Sequence, residues 1–242
     1  MVLSIDPALE SNYSRTFARG LDAELALHGH MLLVREGYSA PVPDQQILEA
    51  ISPRAVIRLP GNYLAAGHEF DDGGWESGFA ANILVQVRYL AGRGHVHVAV
   101  ALPEGAPPLG PVRTRFAREA AAMTGIAEPQ VLVVPRSRPA AVEALREFRA
   151  THHTVTAVAA YDDDVALRVL TAMRAMGLAA PGDLAVIGFD DADYGALVDP
   201  ALTTVNVDAE EHGRKAAREV LRLDPGPLLR FKPGRVIVRE SA

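Results

Sequence analysis

The chain has no cysteine. That excludes disulfide staples and thiolate chemistry together, and it fits a reducing compartment. Lysine is nearly missing, standing only at Lys215 and Lys232. Arginine fills the rest of the basic complement, which reads as codon bias and not as mechanism. Positive charge is in deficit: 24 Lys and Arg against 30 Asp and Glu give a formal net charge of −6. Phosphate contacts need clustered Lys and Arg, so the chain is not expected to be a nucleic-acid surface itself. No apolar run approaches the roughly 18 residues of a membrane helix. The opening MVLSIDPALESNY lacks the basic and apolar regions of a secretion signal. The expectation is a cytoplasmic protein with no membrane partner.

Several signatures of catalysis and cofactor binding are missing too. His95 and His97 could share one face of a strand, but spacing indicates no third ligand, which leaves no zinc site. Gly92-Arg93-Gly94 follows a helical pattern and precedes a strand, the reverse of a dinucleotide fingerprint. Ser77 is not a nucleophile elbow, because Trp75 stands where that turn needs glycine. No cofactor is expected.

What is present is a folded chain of 242 residues, 49% hydrophobic and 22% charged, long enough for one large or two small domains. Strand-type and helix-type segments alternate. Strands are expected at 2–5, 31–34, 55–59, 96–102, 130–134, 154–160 and 184–189, with helices between them at 14–28, 43–51, 79–91, 112–124, 139–150 and 165–176, and a last helix at 210–223. In the first helix Phe17, Leu21, Leu25 and Leu27 are expected to face a core. Residues 61–78 are irregular, with Asp71-Asp72-Gly73-Gly74 as turn chemistry. Pro103–Pro111 reads as a linker or hinge. Repeated βα units imply parallel sheets flanked by helices. Two such runs across a hinge imply two Rossmann-like α/β lobes.

The most informative stretch is Asp183–Val207. Leu184–Phe189 is apolar on both faces, as a central parallel strand must be. It ends at Asp190 and Asp191, and ligands in such sheets sit beyond the carboxyl ends of the strands.

Gly188–Asp191 (GFDD) and Pro200–Thr204 (PALTT) resemble the signature of LacI/GalR transcriptional regulators. In the same order as in that family come the opening strand with Gly20 and Gly29, then Tyr89-Leu90 through Gly94-His95-Val96. TAVAAYDDDVA at 156–166, Gly177-Leu178 with Pro181–Asp183, and RVIVRES at 235–241 follow. Three departures stand out. No helix-turn-helix precedes the first strand. Residues 61–78 look shortened and lack the family's Asp-x-x-x-Gly piece. Its Arg-x-x-Gly-Phe motif is kept only loosely, as Arg113-Thr114-Arg115-Phe116.

The resemblance implies a type I periplasmic-binding-protein-like fold with three interlobe crossovers and a ligand in the cleft. The N-terminal lobe would hold 1–103 plus 205–224, and the C-terminal lobe 104–204 plus 225–242. It implies a ligand-sensing, dimerising core of a probable repressor, with no enzymatic activity. A small sugar or related polyol would be the effector. Operator DNA would be met only through a helix-turn-helix outside this chain. A solute-binding receptor of a transport system is the alternative. A magnesium-dependent phosphatase-like enzyme using Asp162 and Asp164 is a more distant one.

Five residues are candidates for the ligand site. Asp190 is either an acceptor for ligand hydroxyls or a turn carboxylate. Asp191 is expected to cap the following helix. Asp162 opens a run of three carboxylates that suits a helix start, a magnesium ion or a ligand hydroxyl. Asp163 would be mainly structural. Arg113 is either a clamp for ligand oxygens or a solvated helix arginine. Tyr13 and Trp75 are each either an aromatic wall for a sugar or ordinary packing.

Overall fold

The computed structural model describes residues 1–5, 11–36, 44–59, 78–105, 109–224 and 233–242. The chain forms two compact units, Met1–Asp71 with Asp208–Phe231, and Asp72–Val207 with Lys232–Ala242.

The first unit carries a parallel three-stranded sheet, ordered β2-β1-β3. Its strands are β1 (Val2–Ile5), β2 (Leu33–Glu36) and β3 (Val56–Leu59). Its helices are α1 (Asn12–Leu27), α2 (Asp44–Ile51) and α7 (Ala209–Leu221). α1 starts two residues before the expected Ser14, because Ser11 caps it and Ser14 completes a reciprocal capping box. Phe17, Leu21 and Leu25 are buried on one stripe with Ala209 and Ala217 of α7. Leu27 was expected beside them but is 74% exposed. Two residues along a helix lie on nearly opposite faces, so Leu27 cannot share the stripe of Leu25.

The second unit holds a parallel sheet ordered β5-β4-β6-β7. Its strands are β4 (Val98–Pro103), β5 (Gln130–Val134), β6 (Ala157–Ala160) and β7 (Ala185–Ile187). The helices are α3 (Phe79–Gly92), α4 (Gly110–Thr124), α5 (Arg138–Thr151) and α6 (Asp163–Ala175). β6 and β7 are buried along their whole lengths, as their continuous apolar sequences require. The chain leaves β4 toward β5 on one side and then returns to β6 on the other. A reversal of this kind opens a crevice at the carboxyl ends of the strands.

The antiparallel pair β8 (Thr204–Asn206) and β9 (Arg235–Ile237) completes this unit. Its tail locks the Pro200–Thr204 crossover in place. The Ser241 hydroxyl donates to Val186 O (2.6 Å) and accepts from Thr203 N (2.9 Å). Arg239 Nη1 donates to Leu202 O (2.7 Å).

The boundaries of the units differ from those expected. The chain passes from the first unit to the second at 71/72, and not at 103/104. β4 has a parallel neighbour on each side inside the second sheet, so 98–103 cannot belong elsewhere. The Pro/Gly-rich stretch after it connects β4 to α4 within one unit.

Candidate functional site

β6 and β7 are parallel neighbours with Ala159 opposite Ile187. Their continuations, Tyr161–Asp162 and Gly188–Asp190, therefore emerge side by side at one rim. α4 brings Arg113 to the same place. Three of the five candidates, Arg113, Asp162 and Asp190, are thus brought together in the second unit.

Arg113 is not a solvated helix arginine: it is 2% exposed. Its Nη2 donates to Gln86 Oε1 (3.0 Å) and to Ala160 O (2.8 Å), both neutral oxygens. Its guanidinium carbon lies 4.2 Å from the ring centre of Phe189, 5.5 Å from Tyr161 and 5.8 Å from Phe79. Cations are attracted to ring faces at such distances. Burial pulls its pKa down to about 10, with Tyr161, Asp190 and Asp162 acting the other way. It stays charged at neutral pH. Burial also raises the Tyr161 hydroxyl to about 12, so the ring is neutral there.

Asp162 caps α6, its Oδ1 accepting from Val165 N (2.7 Å). α6 consequently begins at Asp163 and not at the expected Val165. Burial raises the Asp162 pKa, and the capping bond works against that rise. A carboxylate has about four acceptor positions, so capping leaves Asp162 able to accept from a ligand as well. Asp190 stands at φ +92° and Asp191 at φ +50°. Left-handed backbone at two successive non-glycine residues is strained, and it persists only where surrounding bonds fix it. Here Asp190 N donates to Val205 O (2.9 Å).

Asp191 is structural, but not as the expected cap. The short 3-10 helix Asp193–Ala196 has Ala192 at its N-cap. Asp191 instead pairs with Arg239 Nη2 (2.8 Å) and accepts from Asn206 Nδ2 (3.1 Å). Asp163 points inward, accepting from Phe189 N, Ala192 N and Thr204 Oγ1. Asp164 accepts from the Tyr194 hydroxyl. The three successive carboxylates therefore diverge. Among the described residues no group of three His, Cys, Asp or Glu could hold a metal ion.

Tyr13 lies on α1 in the first unit. Its hydroxyl is 3.0 Å from His212 Nδ1, and its ring stacks on Phe17 at 6.1 Å. Trp75 lies outside the described residues.

Sequence reasoning missed Gln86. This residue of α3 is 1% exposed. Its Nε2 reaches Ala160 O (3.0 Å), Ile187 O (3.3 Å) and Gly188 O (2.9 Å), which ties α3 to the ends of β6 and β7. Asn82, one turn earlier, accepts from Gly234 N (2.6 Å). Two amides four residues apart in a largely apolar helix were the available signal.

The rim combines carboxylate acceptors, guanidinium donors and ring faces.

A family model described as a periplasmic binding protein-like domain matches residues 87–242. The HTH-type transcriptional regulator CelR of Thermobifida fusca is 32% identical over 127 residues, 52% of this chain and 37% of that protein. The arabinose metabolism transcriptional repressor of Geobacillus stearothermophilus is 32% identical over 84 residues, 34% of this chain and 23% of that protein. The chain thus matches little more than a third of these curated relatives at most.

Among solved structures, a CelR–cellobiose complex superposes with a TM-score of 0.76 at 20% identity, over 100% of this chain and 84% of that one. A LacI family transcriptional regulator from Arthrobacter sp. FB24 in complex with lactose gives 0.74 at 23% identity, over 99% and 98%. These likenesses carry the fold. Since the family model covers more than half of the chain, GFDD, PALTT and RVIVRES included, the chain belongs to the periplasmic binding protein-like domain family.

Proposed function

We propose that this chain is the ligand-sensing and dimerising core of a LacI-type transcriptional repressor. Its effector is a small sugar or related polyol. The observation that carries this reading is the meeting of Arg113, from α4, with Asp162 and Asp190 at two adjacent strand ends. Carboxylates accept from a polyol's hydroxyls, the guanidinium donates to its oxygens, and charge-assisted bonds of both kinds are the stronger class. Two similar structures are complexes with cellobiose and lactose, which supports that ligand class.

The chain is a cytoplasmic regulator and not an enzyme. Among the described residues no helix is long and apolar enough to cross a membrane. DNA is contacted by a helix-turn-helix segment outside this chain, and two copies pair to match a two-fold operator. The effector acts by binding one conformation better than another and so shifting their populations.

The test is a thermal-shift screen against sugars and nucleosides. A ligand at about 100 times its dissociation constant adds about 2.7 kcal/mol of stability. Asp190→Ala is expected to abolish that shift while the protein stays folded. A shift left intact removes Asp190 from the site, and a screen without any shift overturns the ligand class.

A further inference from the structure

Gln86 has a side chain that can lie only one way round. At one end are three carbonyl oxygens, of Ala160, Ile187 and Gly188, which only accept. At the other is the guanidinium of Arg113, which only donates. So Nε2 must face the strand ends and Oε1 must face Arg113.

The bond has a consequence for Arg113. Its Nη2 carries two protons, and the two acceptors at 3.0 Å and 2.8 Å, Gln86 Oε1 and Ala160 O, take both. That nitrogen is spent on the protein. A guanidinium is rigid and planar, so fixing one nitrogen against two acceptors fixes the whole plane. Phe189 at 4.2 Å supports one face of it. The donors still on offer are those of Nε and Nη1.

We propose that Gln86 is the positioning residue of the ligand site: it pins Nη2 of Arg113 to the end of β6, so that the Nε–Nη1 edge is the one presented to a ligand's acceptor atoms. The inference rests on the reading of this rim as the ligand site. A purely structural Gln86 needs only its Nε2 end, which joins α3 to the sheet. The Oε1 end has no part in that joint, and it is the end that meets Arg113.

The test reads the arginine head directly, without any ligand. The full chain is labelled with 15N-arginine, and the Arg113 signals are assigned by their loss in Arg113→Lys. The wild type is expected to show separate Nη1 and Nη2 signals, the mark of a head that does not rotate freely. Gln86→Leu removes both ends of the amide. It should merge those signals, with exchange faster by roughly tenfold, the effect of losing one charged hydrogen bond. Gln86→Glu keeps the acceptor and should keep the signals apart, though it weakens the joint to the strands.

A single averaged signal in the wild type, or an undisturbed pair in Gln86→Leu, overturns the proposal. Should Gln86→Leu fail to fold, the wild-type and Gln86→Glu spectra still decide it. The ligand reading fails separately. An Arg113 head held as described, in a protein that cellobiose, lactose and ribose do not stabilise, removes the sugar and leaves the positioning intact.

Discussion

Asp163 shows how one residue can organise a turn from beneath. It is 1% exposed, and its carboxylate accepts from Phe189 N (2.8 Å), Ala192 N (2.6 Å) and Thr204 Oγ1 (2.6 Å). These bonds gather the strand end, the turn and the crossover around a single group. They also explain Gly188. A Cβ there would stand 2.0 Å from Asp163 Oδ1. Glycine is needed for space over the carboxylate and not for an unusual φ. Burial raises the Asp163 pKa to about 6, the three donors opposing the rise. A carboxyl whose folded pKa lies above its unfolded value of about 3.9 binds more protons in the native state between those two pH values. Its contribution to stability is therefore full below about pH 4 and is lost as pH rises through about 6. The expected result is a 13C carboxyl titration of Asp163 with its midpoint near 6. Wild-type stability should gain on that of Asp163→Asn by up to roughly 3 kcal/mol as pH falls from 7 to 4. A midpoint near 4 would refute this.

At the scale of elements, the close crossing of α1 and α7 decides the first unit. Gly20 and Gly213 face each other's helices: a Cβ at Gly20 would lie 1.9 Å from Glu210 O, and one at Gly213 would lie 2.0 Å from Phe17 O. Glu24, 6% exposed, joins the same pair through Arg218 (2.6 Å) and Arg214 (3.8 Å). Helix propensity alone says that Gly213→Ala should stabilise by about 1 kcal/mol. The crossing says the opposite, because the atoms in the way are main chain and cannot swing aside. Overpacking of this kind costs about 1–3 kcal/mol, so Gly213→Ala is expected to lower the urea midpoint. A higher midpoint would show that the helices are free to separate. Most elements were legible in the sequence because apolar spacing marks helices and strands well. Their ends were less so. α1 and α6 both start earlier than spacing indicates, because Ser11 and Asp162 cap them, and capping depends on side-chain bonds that spacing does not report. GFDD and TAVAAYDDDVA could be read as motifs, and with them Asp190 and Asp162. Gln86 was harder to read: its spacing from Asn82 was a signal, but the strand-end carbonyls it satisfies lie far away in sequence.

The division of the whole molecule was the least legible feature. Proline and glycine mark a loop, but they do not say whether it joins two units or two elements of one. Pairing settles that, and pairing is not local: β4 belongs with β5 and β6, the latter more than fifty residues further on. Each unit also has its own core. Phe17, Leu21, Leu25, Ala209 and Ala217 form one cluster, and the cluster around Val158, Val169, Met173 and Val186 shares no residue with it. Separate cores predict unfolding that is not a single cooperative step. Leu21 is fully buried, and cutting it back to alanine should cost about 2–5 kcal/mol. If stability is held locally, that loss falls on the first unit. Amide exchange followed by mass spectrometry should then speed up in α1 and α7 of Leu21→Ala, with β4 and β6 keeping wild-type protection. Equal deprotection of β4 and β6 would mean that the chain unfolds as one body, and that its two cores are only one for the purposes of stability.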